Sequence, residues 1–304
     1  MSQHRWGWLV GAAAAFVASL GWSVASAKPP KPLDWAALNP AFAGATFVND
    51  TATCATCHGD YMEAYGKTNH AKAFAAKSPD GVGECESCHG PRSKHIENPT
   101  AELKIVEARS QALVCAQCHE GGSRMGFKAG AHLSADVSCQ SCHTVMTPVS
   151  ERALLKTANA SDTCYTCHAE VRADLNKMSR HPVREGRMDC ASCHNVHGST
   201  PSLLTKATVN DTCFVCHTVK RGPYVWEHAP VRENCATCHT PHGSNNRNLL
   251  NAKDSFLCLS CHSYGGHINL PRYNRTSNPY GSGCVNCHTS VHGSNHPSGA
   301  KLTR

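Results

Sequence analysis

The chain has 304 residues, of which 40% are hydrophobic but only 6% aromatic, with 20 cysteines, 21 histidines, 23 glycines and 16 prolines. So few large side chains exclude a conventional core of this size, and the Gly and Pro content favours many short elements joined by turns. The formal charge of +7 would by itself suit a nucleic-acid partner, a reading that the cysteine pattern removes.

Residues 1–27 have the form of a cleaved secretory signal: Arg5, an uncharged apolar stretch from Trp8 to Leu20, and the small-residue site Ala25-Ser26-Ala27. The alternative is an uncleaved anchor, because the uncharged run from Gly7 to Ala27 nearly spans a bilayer. No cysteine near that site suits a lipid anchor. The mature chain then opens with a Pro-rich stretch, Lys28–Pro40, expected to be extended. Helices are expected over Ala101–Cys118, Leu154–His168 and Val209–His217, with Ser161-Asp162-Thr163 and Asn210-Asp211-Thr212 as helix starts. The tail from Gly293 reads as an irregular arm, and no region alternates as a strand.

An exported chain with twenty cysteines first suggests disulfides. The spacing overrules this, because every cysteine belongs to a Cys-x-x-Cys-His element. In the first half these are Cys54-Cys57-His58, Cys85-Cys88-His89, Cys115-Cys118-His119, Cys139-Cys142-His143 and Cys164-Cys167-His168. The second half has Cys190-Cys193-His194, Cys213-Cys216-His217, Cys235-Cys238-His239, Cys258-Cys261-His262 and Cys284-Cys287-His288. This is the attachment signature of haem c: two thiols form thioethers and the adjacent His is the proximal iron ligand. Zinc frameworks have no reason to place His after each pair. Ten covalent haems bring about twenty propionates, and with the signal removed the net charge becomes about −4 oxidised and about −14 reduced. Nucleic acid is therefore not an expected partner.

The first cysteines recur every 22–31 residues, an internal repeat. One unit runs from His181 through Cys190, His194 and His197-Gly198-Ser199 to Leu203-Leu204 and Cys213. The next runs from His228 through Cys235, His239 and His242-Gly243-Ser244 to Leu249-Leu250 and Cys258. His132 to Cys164 is a third copy, and His70 to Cys115 a looser fourth. Ten histidines beyond the proximal ones and His4 remain as distal candidates: His70, His95, His132, His181, His197, His228, His242, His267, His292 and His296. In the third copy the place of His197 and His242 is taken by Met146, three residues after His143. Methionine is also an axial ligand, one that raises haem potential. Either Met146 or His296 completes the distal set. The ligand supply leaves no obvious open iron position, which favours electron transfer over catalysis. The expected fold is mainly α with much irregular loop, short helices packed around the haems, and an apo-protein that is largely unfolded.

The stretches Lys220-Arg221-Gly222-Pro223, Trp226-Glu227-His228-Ala229-Pro230-Val231, Cys235–Ser244 and Val291-His292-Gly293-Ser294-Asn295-His296-Pro297-Ser298-Gly299 resemble the periplasmic decahaem cytochromes of porin–cytochrome conduits, the MtrA/MtoA/DmsE type. The resemblance covers essentially the whole mature chain. It implies two pentahaem halves, placed here at 28–177 and 178–304, with bis-His ligation throughout. It also implies a periplasmic protein that inserts into an outer-membrane β-barrel porin and carries electrons between periplasm and cell surface, for metal reduction or Fe(II) oxidation. Its partners would be a periplasmic or inner-membrane cytochrome and an extracellular multihaem cytochrome. The alternative is a soluble periplasmic multihaem reductase, or an electron donor to one. That family has His where this chain has Met146. The sequence leaves open which distal residue serves which haem and how the haems are ordered in space.

Overall fold

The structure is a computed structural model that describes residues 32–76, 84–100, 103–147, 149–150, 153–262 and 283–303. The expected signal over 1–27 and the candidate ligand His267 lie outside them. Among the described residues the fold is a succession of short helices and 3-10 turns, with β-structure confined to isolated bridges. The longest helix, Thr51–Gly66, has 16 residues and turns out of helical geometry at His58. Most of the others make a single turn or a little more.

The expected helices are present but shorter, and residues 101 and 102 of the first lie outside the described residues. Ala108–Ala116 replaces Ala101–Cys118, and Ala160–Tyr165 replaces Leu154–His168. In the second case Ala153 and Leu154 adopt left-handed backbone, φ 62° and 52°, which no α-helix accommodates. Val209–Phe214 stops short of His217, whose backbone leaves the helix at φ −95°, ψ 45°. The helix starts lie upstream of those expected. The Asn159 side chain accepts from the Asp162 amide at 2.9 Å, and the Thr208 hydroxyl accepts from the Asp211 amide at 3.0 Å.

The Pro-rich N-terminal stretch is not extended throughout. Asp34 caps a helical turn at Trp35–Leu38, and Asn39 caps a 3-10 turn at Pro40–Phe42. Trp35 and Phe42 then pack with Leu103 as a small apolar cluster. The C-terminal tail is not a loose arm either. Trp226 and Ser294 exchange backbone hydrogen bonds of 2.9 Å each, the Trp226 indole donates to the His296 carbonyl at 2.9 Å, and the tail ends in a 3-10 turn at Gly299–Lys301.

Buried apolar side chains are scarce and unevenly placed. Trp35, Phe42, Tyr65, Ala71, Leu103, Ala108, Ala112, Leu133 and Leu175 are buried, and none of the described residues beyond Leu175 joins them. A chain of this length that buries so little cannot offset its conformational entropy with its own side chains. What fills the interior must be attached to it.

The most deeply buried side chain is a carboxylate. Glu86, 2% exposed, accepts from the amides of Val48 (3.0 and 2.9 Å), Asn49 (2.7 Å) and Arg92 (2.8 Å). It lies between the two cysteines of the second motif and so ties the N-terminal segment to that motif. Glu86→Ala strips several amides of their acceptor, each left unsatisfied at about 1–3 kcal/mol. Chemical unfolding of the holo-protein should show a loss of about 3 kcal/mol or more. A change within about 0.5 kcal/mol, the size of a surface substitution, would show that Glu86 holds nothing.

Candidate functional site

Each Cys-x-x-Cys-His element folds as one tight turn. The amide of the His donates to the carbonyl of the first Cys, four residues earlier, at 2.9–3.1 Å in the nine motifs from His89 to His288. Residues four apart share a helical face, so the thiol and the imidazole project the same way, with the second thiol beside them. All twenty cysteines stand without a disulfide.

The motifs are strung in sequence order. The first cysteines of successive motifs lie side by side in pairs: Cys54 with Cys85, Cys115 with Cys139, Cys164 with Cys190, Cys213 with Cys235 and Cys258 with Cys284. The second cysteine of one pair then lies within electrostatic reach of the next pair: Cys88 of Cys115, Cys142 of Cys167, Cys193 of Cys216 and Cys238 of Cys261. All ten motifs line one continuous cavity of about 4640 Å³. Shared among ten sites this is about 460 Å³ each, within the range of about 300–1,000 Å³ of a pocket for one sizeable ligand.

Across this cavity eight proximal imidazoles face a second imidazole. The pairs are His58 with His95, His119 with His70, His143 with His197, His168 with His132, His194 with His242, His217 with His181, His239 with His292 and His262 with His228. Their ring centres are 5.8–6.3 Å apart. A first-row metal–imidazole bond is about 2.0–2.1 Å and the ring centre lies about 1.1 Å beyond the bonded nitrogen, so two rings on opposite sides of one metal have centres roughly 6.2 Å apart. The angle between ring planes ranges from 12° to 78°, as rings free to turn about the line joining them would show. The His143–His197 pair joins the spans 28–177 and 178–304.

Backbone carbonyls fix the tautomer of six of these rings and of His288. A carbonyl only accepts, so an Nδ1 bonded to one carries the proton and leaves Nε2 with its lone pair for a metal. Proximal Nδ1 atoms donate from His143 to Ala153 (2.7 Å), His194 to Ser202 (2.9 Å), His239 to Asn248 (2.8 Å) and His288 to Lys301 (2.7 Å). The repeated Leu-Leu pairs of the sequence belong to these acceptors. Ala153-Leu154, Ser202-Leu203 and Asn248-Leu249 are all left-handed, with φ of 51–62°. That conformation aims the carbonyl at the ring, and Leu155, Leu204 and Leu250 then bridge to the same histidines. The tail repeats the device at Lys301, with Leu302 at φ 54°. These acceptors act through their backbone, so no side-chain signature marks them; only the Leu-Leu recurrence does.

Distal rings are held by a clasp between two segments. His132, His181 and His228 donate to the carbonyls of Val196 (3.3 Å), Pro241 (2.7 Å) and Val291 (2.9 Å). Each acceptor immediately precedes another distal residue: His197, His242 or His292. Ser179 and Ser244 exchange backbone bonds of 2.9 and 2.8 Å alongside, as Trp226 and Ser294 do. The His-Gly-Ser motif thus has one task per residue: ring, close approach and pairing. At Gly243 an added Cβ would lie 1.9 Å from the Asp174 carbonyl oxygen, which only glycine avoids.

Burial holds the imidazoles of His70, His119, His197, His242 and His292 below the ordinary histidine pKa. Burial, with Arg92 and His58 adding to it, pushes His89 down to about 4. Neutral rings are the form that ligates metal. The placement of the two remaining candidates is less regular. Met146 is half-buried on the cavity wall. His296 is exposed, and its Nδ1 accepts from the Ser298 amide at 3.2 Å.

Residues 132–173, 181–222 and 228–267 match the doubled CXXCH motif family, and 53–82 and 91–144 match the cytochrome c554 and c-prime family. The multiheme cytochrome MtrA of Shewanella baltica is 38% identical over 270 residues, which is 83% of this chain and 80% of that protein. The chain belongs to the MtrA-type multihaem cytochromes. Like them it is an electron-transfer protein that carries haem c on its Cys-x-x-Cys-His motifs. Bound there, haem c supplies a one-electron Fe(III)/Fe(II) couple. The motif cysteines would hold the group through thioethers and the histidines through their Nε2 atoms, and the Nδ1 hydrogen bonds and burial described above would tune its potential.

The left-handed acceptors give a direct test. Ser202→Pro locks φ near −65° and withdraws the carbonyl from His194, at a cost of about 2 kcal/mol or more. The less basic imidazole should also raise one component of the redox titration. Ser202→Gly, which tolerates φ of 53°, should change neither by much. Equal behaviour of the two variants would mean that the carbonyl does not tune the ring.

Proposed function

We propose that the chain carries ten haems c in single file and conducts electrons between the periplasm and the cell surface through an outer-membrane β-barrel porin. The observation that supports this most is that the cysteines of each motif neighbour those of the next and that all ten motifs line one cavity. A carrier that exchanges electrons at one place has no need of ten sites in a row. A row with a site at each end suits transfer across a barrier.

The physical case for a porin is one of solvation. Among the described residues no helix is long and apolar enough to cross a membrane. The irregular loops of this fold would leave backbone polar groups unsatisfied in hydrocarbon. A barrel supplies the lipid-facing surface and offers a polar lumen, and ten sites in file are long enough for the hydrocarbon layer of about 30 Å. The signal at 1–27 would deliver the chain to the periplasm. The spans 28–177 and 178–304 would each carry five haems, with His143 and His197 as the joint. A periplasmic or inner-membrane cytochrome at one end and an extracellular multihaem cytochrome or a mineral at the other complete the path.

One observation favours the second reading, a reductase of a small oxyanion. Among the described residues no imidazole faces His89, and a reductase needs one exchangeable iron position.

Reconstitution separates the two. The holo-cytochrome is placed in liposomes with and without a co-purified β-barrel porin, with a redox dye inside and a reductant outside. Dye reduction only when both proteins are present is the expected result. No transfer, with the cytochrome remaining in the aqueous phase, would overturn the conduit.

A further inference from the structure

We propose that Met146 is the sixth ligand of the haem attached through Cys85, Cys88 and His89, making it a His/Met site second from the N-terminal end of the chain. This rests on the reading of the protein as a file of haems.

The assignment follows from a rule that the described ligand pairs obey. Motifs alternate in how they obtain a facing ring. For the fourth, sixth and eighth motifs, that ring comes from just beyond the proximal His two motifs further on. His197, three residues after His194, faces His143. His242, three after His239, faces His194. His292, four after His288, faces His239. Each such residue reaches back past one intervening motif. Applied one step earlier, the rule gives His89 the residue three after His143, which is Met146. Met146 and His89 line the same cavity.

The count agrees. The other described distal histidines are all engaged: His95, His70, His132, His181 and His228 face His58, His119, His168, His217 and His262. His296 is in the wrong tautomer for a ligand. Its Nδ1 accepts an amide proton from Ser298, so the neutral ring carries its proton on Nε2. The bonding is the reverse of that at His132, His181 and His228.

The local backbone explains why methionine suits this copy. In the other copies a His-Gly-Ser clasp draws the ligand segment against its neighbour. Here the residues are Met146-Thr147-Pro148. Threonine has the Cβ that the close approach forbids, and proline has no N–H to pair. Thr68, which precedes His70 by two residues as Ser179 and Trp226 precede His181 and His228, commits its amide to the Tyr65 carbonyl and its own carbonyl to the Lys72 amide. His70, the counterpart of His132 and His181, keeps a buried Nδ1 without a partner, so the clasp is absent where the histidine is. A methionine, unbranched with three rotatable side-chain bonds, adapts its path to an iron where no clasp orients a rigid imidazole.

A thioether ligand raises haem potential relative to imidazole. Reduction of the file would therefore begin at its second site, and an electron would rest there longer than elsewhere.

The test uses the full-length holo-protein. Haem content by alkaline pyridine assay is measured first and should be ten per chain in every variant; fewer would count against the file of haems itself, whatever Met146 does. Oxidised wild-type protein should show the weak far-red sulfur-to-iron charge-transfer band. Its redox titration should contain a high-potential component of about one tenth of the amplitude. Met146→His should lose both and remain fully low-spin, and Met146→Ala should lose both and gain one high-spin haem. His296→Ala should leave band and titration unchanged. A wild-type protein without the band, whose titration Met146→His does not alter, would overturn the assignment. So would a high-spin haem appearing in His296→Ala.

Discussion

Opposed imidazoles across an apolar gap are the interaction on which the rest of this structure depends. Their centres stand 5.8–6.3 Å apart, the separation of two rings on opposite sides of one metal. Each half of the pair is held by something else. The proximal ring is fixed by its own Cys-x-x-Cys-His turn and, in four motifs, by a carbonyl from a left-handed loop. The distal rings of His132, His181 and His228 are fixed by a clasp with a segment that itself carries the distal ligand of another site. Sites are thus mechanically linked, and each helps to position its neighbours.

This explains how a chain with so little core is ordered. Among the described residues the polypeptide buries a handful of apolar side chains, all at or before Leu175, and many of its other apolar side chains line the cavity. Strain is accepted in exchange for ligand geometry. Pairs of left-handed non-glycine residues, such as Ser202-Leu203 and Asn248-Leu249, each cost about 1–2 kcal/mol. They recur beside the proximal histidines because a helical backbone there would point the carbonyl away from the ring. The same need cuts short the helix expected over Leu154–His168. Local propensity read from sequence gives way at Ala153 to a bond made to His143.

What could be read from sequence was the chemistry carried by side chains at fixed short spacing. The ten motifs, the distal candidates and the odd position of Met146 all fall in that class. What could not be read depends on partners far apart in the chain or on backbone alone. Nothing local says that His197 faces His143 rather than His194, three residues away. The pairing becomes visible only when the clasp between Ser179 and Ser244, or Trp226 and Ser294, shows which segments meet. The tail from Gly293 looks irregular in sequence for the same reason, since its order comes from Trp226 and from the Lys301 carbonyl that it offers His288.

The most direct test of the account is an iron anomalous-scattering map from crystals of the holo-protein. Ten peaks in single file, in the order of the motifs, with His143 and His197, His194 and His242, and His239 and His292 each bracketing one iron, are the result predicted. A branched or discontinuous set of irons, or irons bracketed by other histidine pairs, would contradict it.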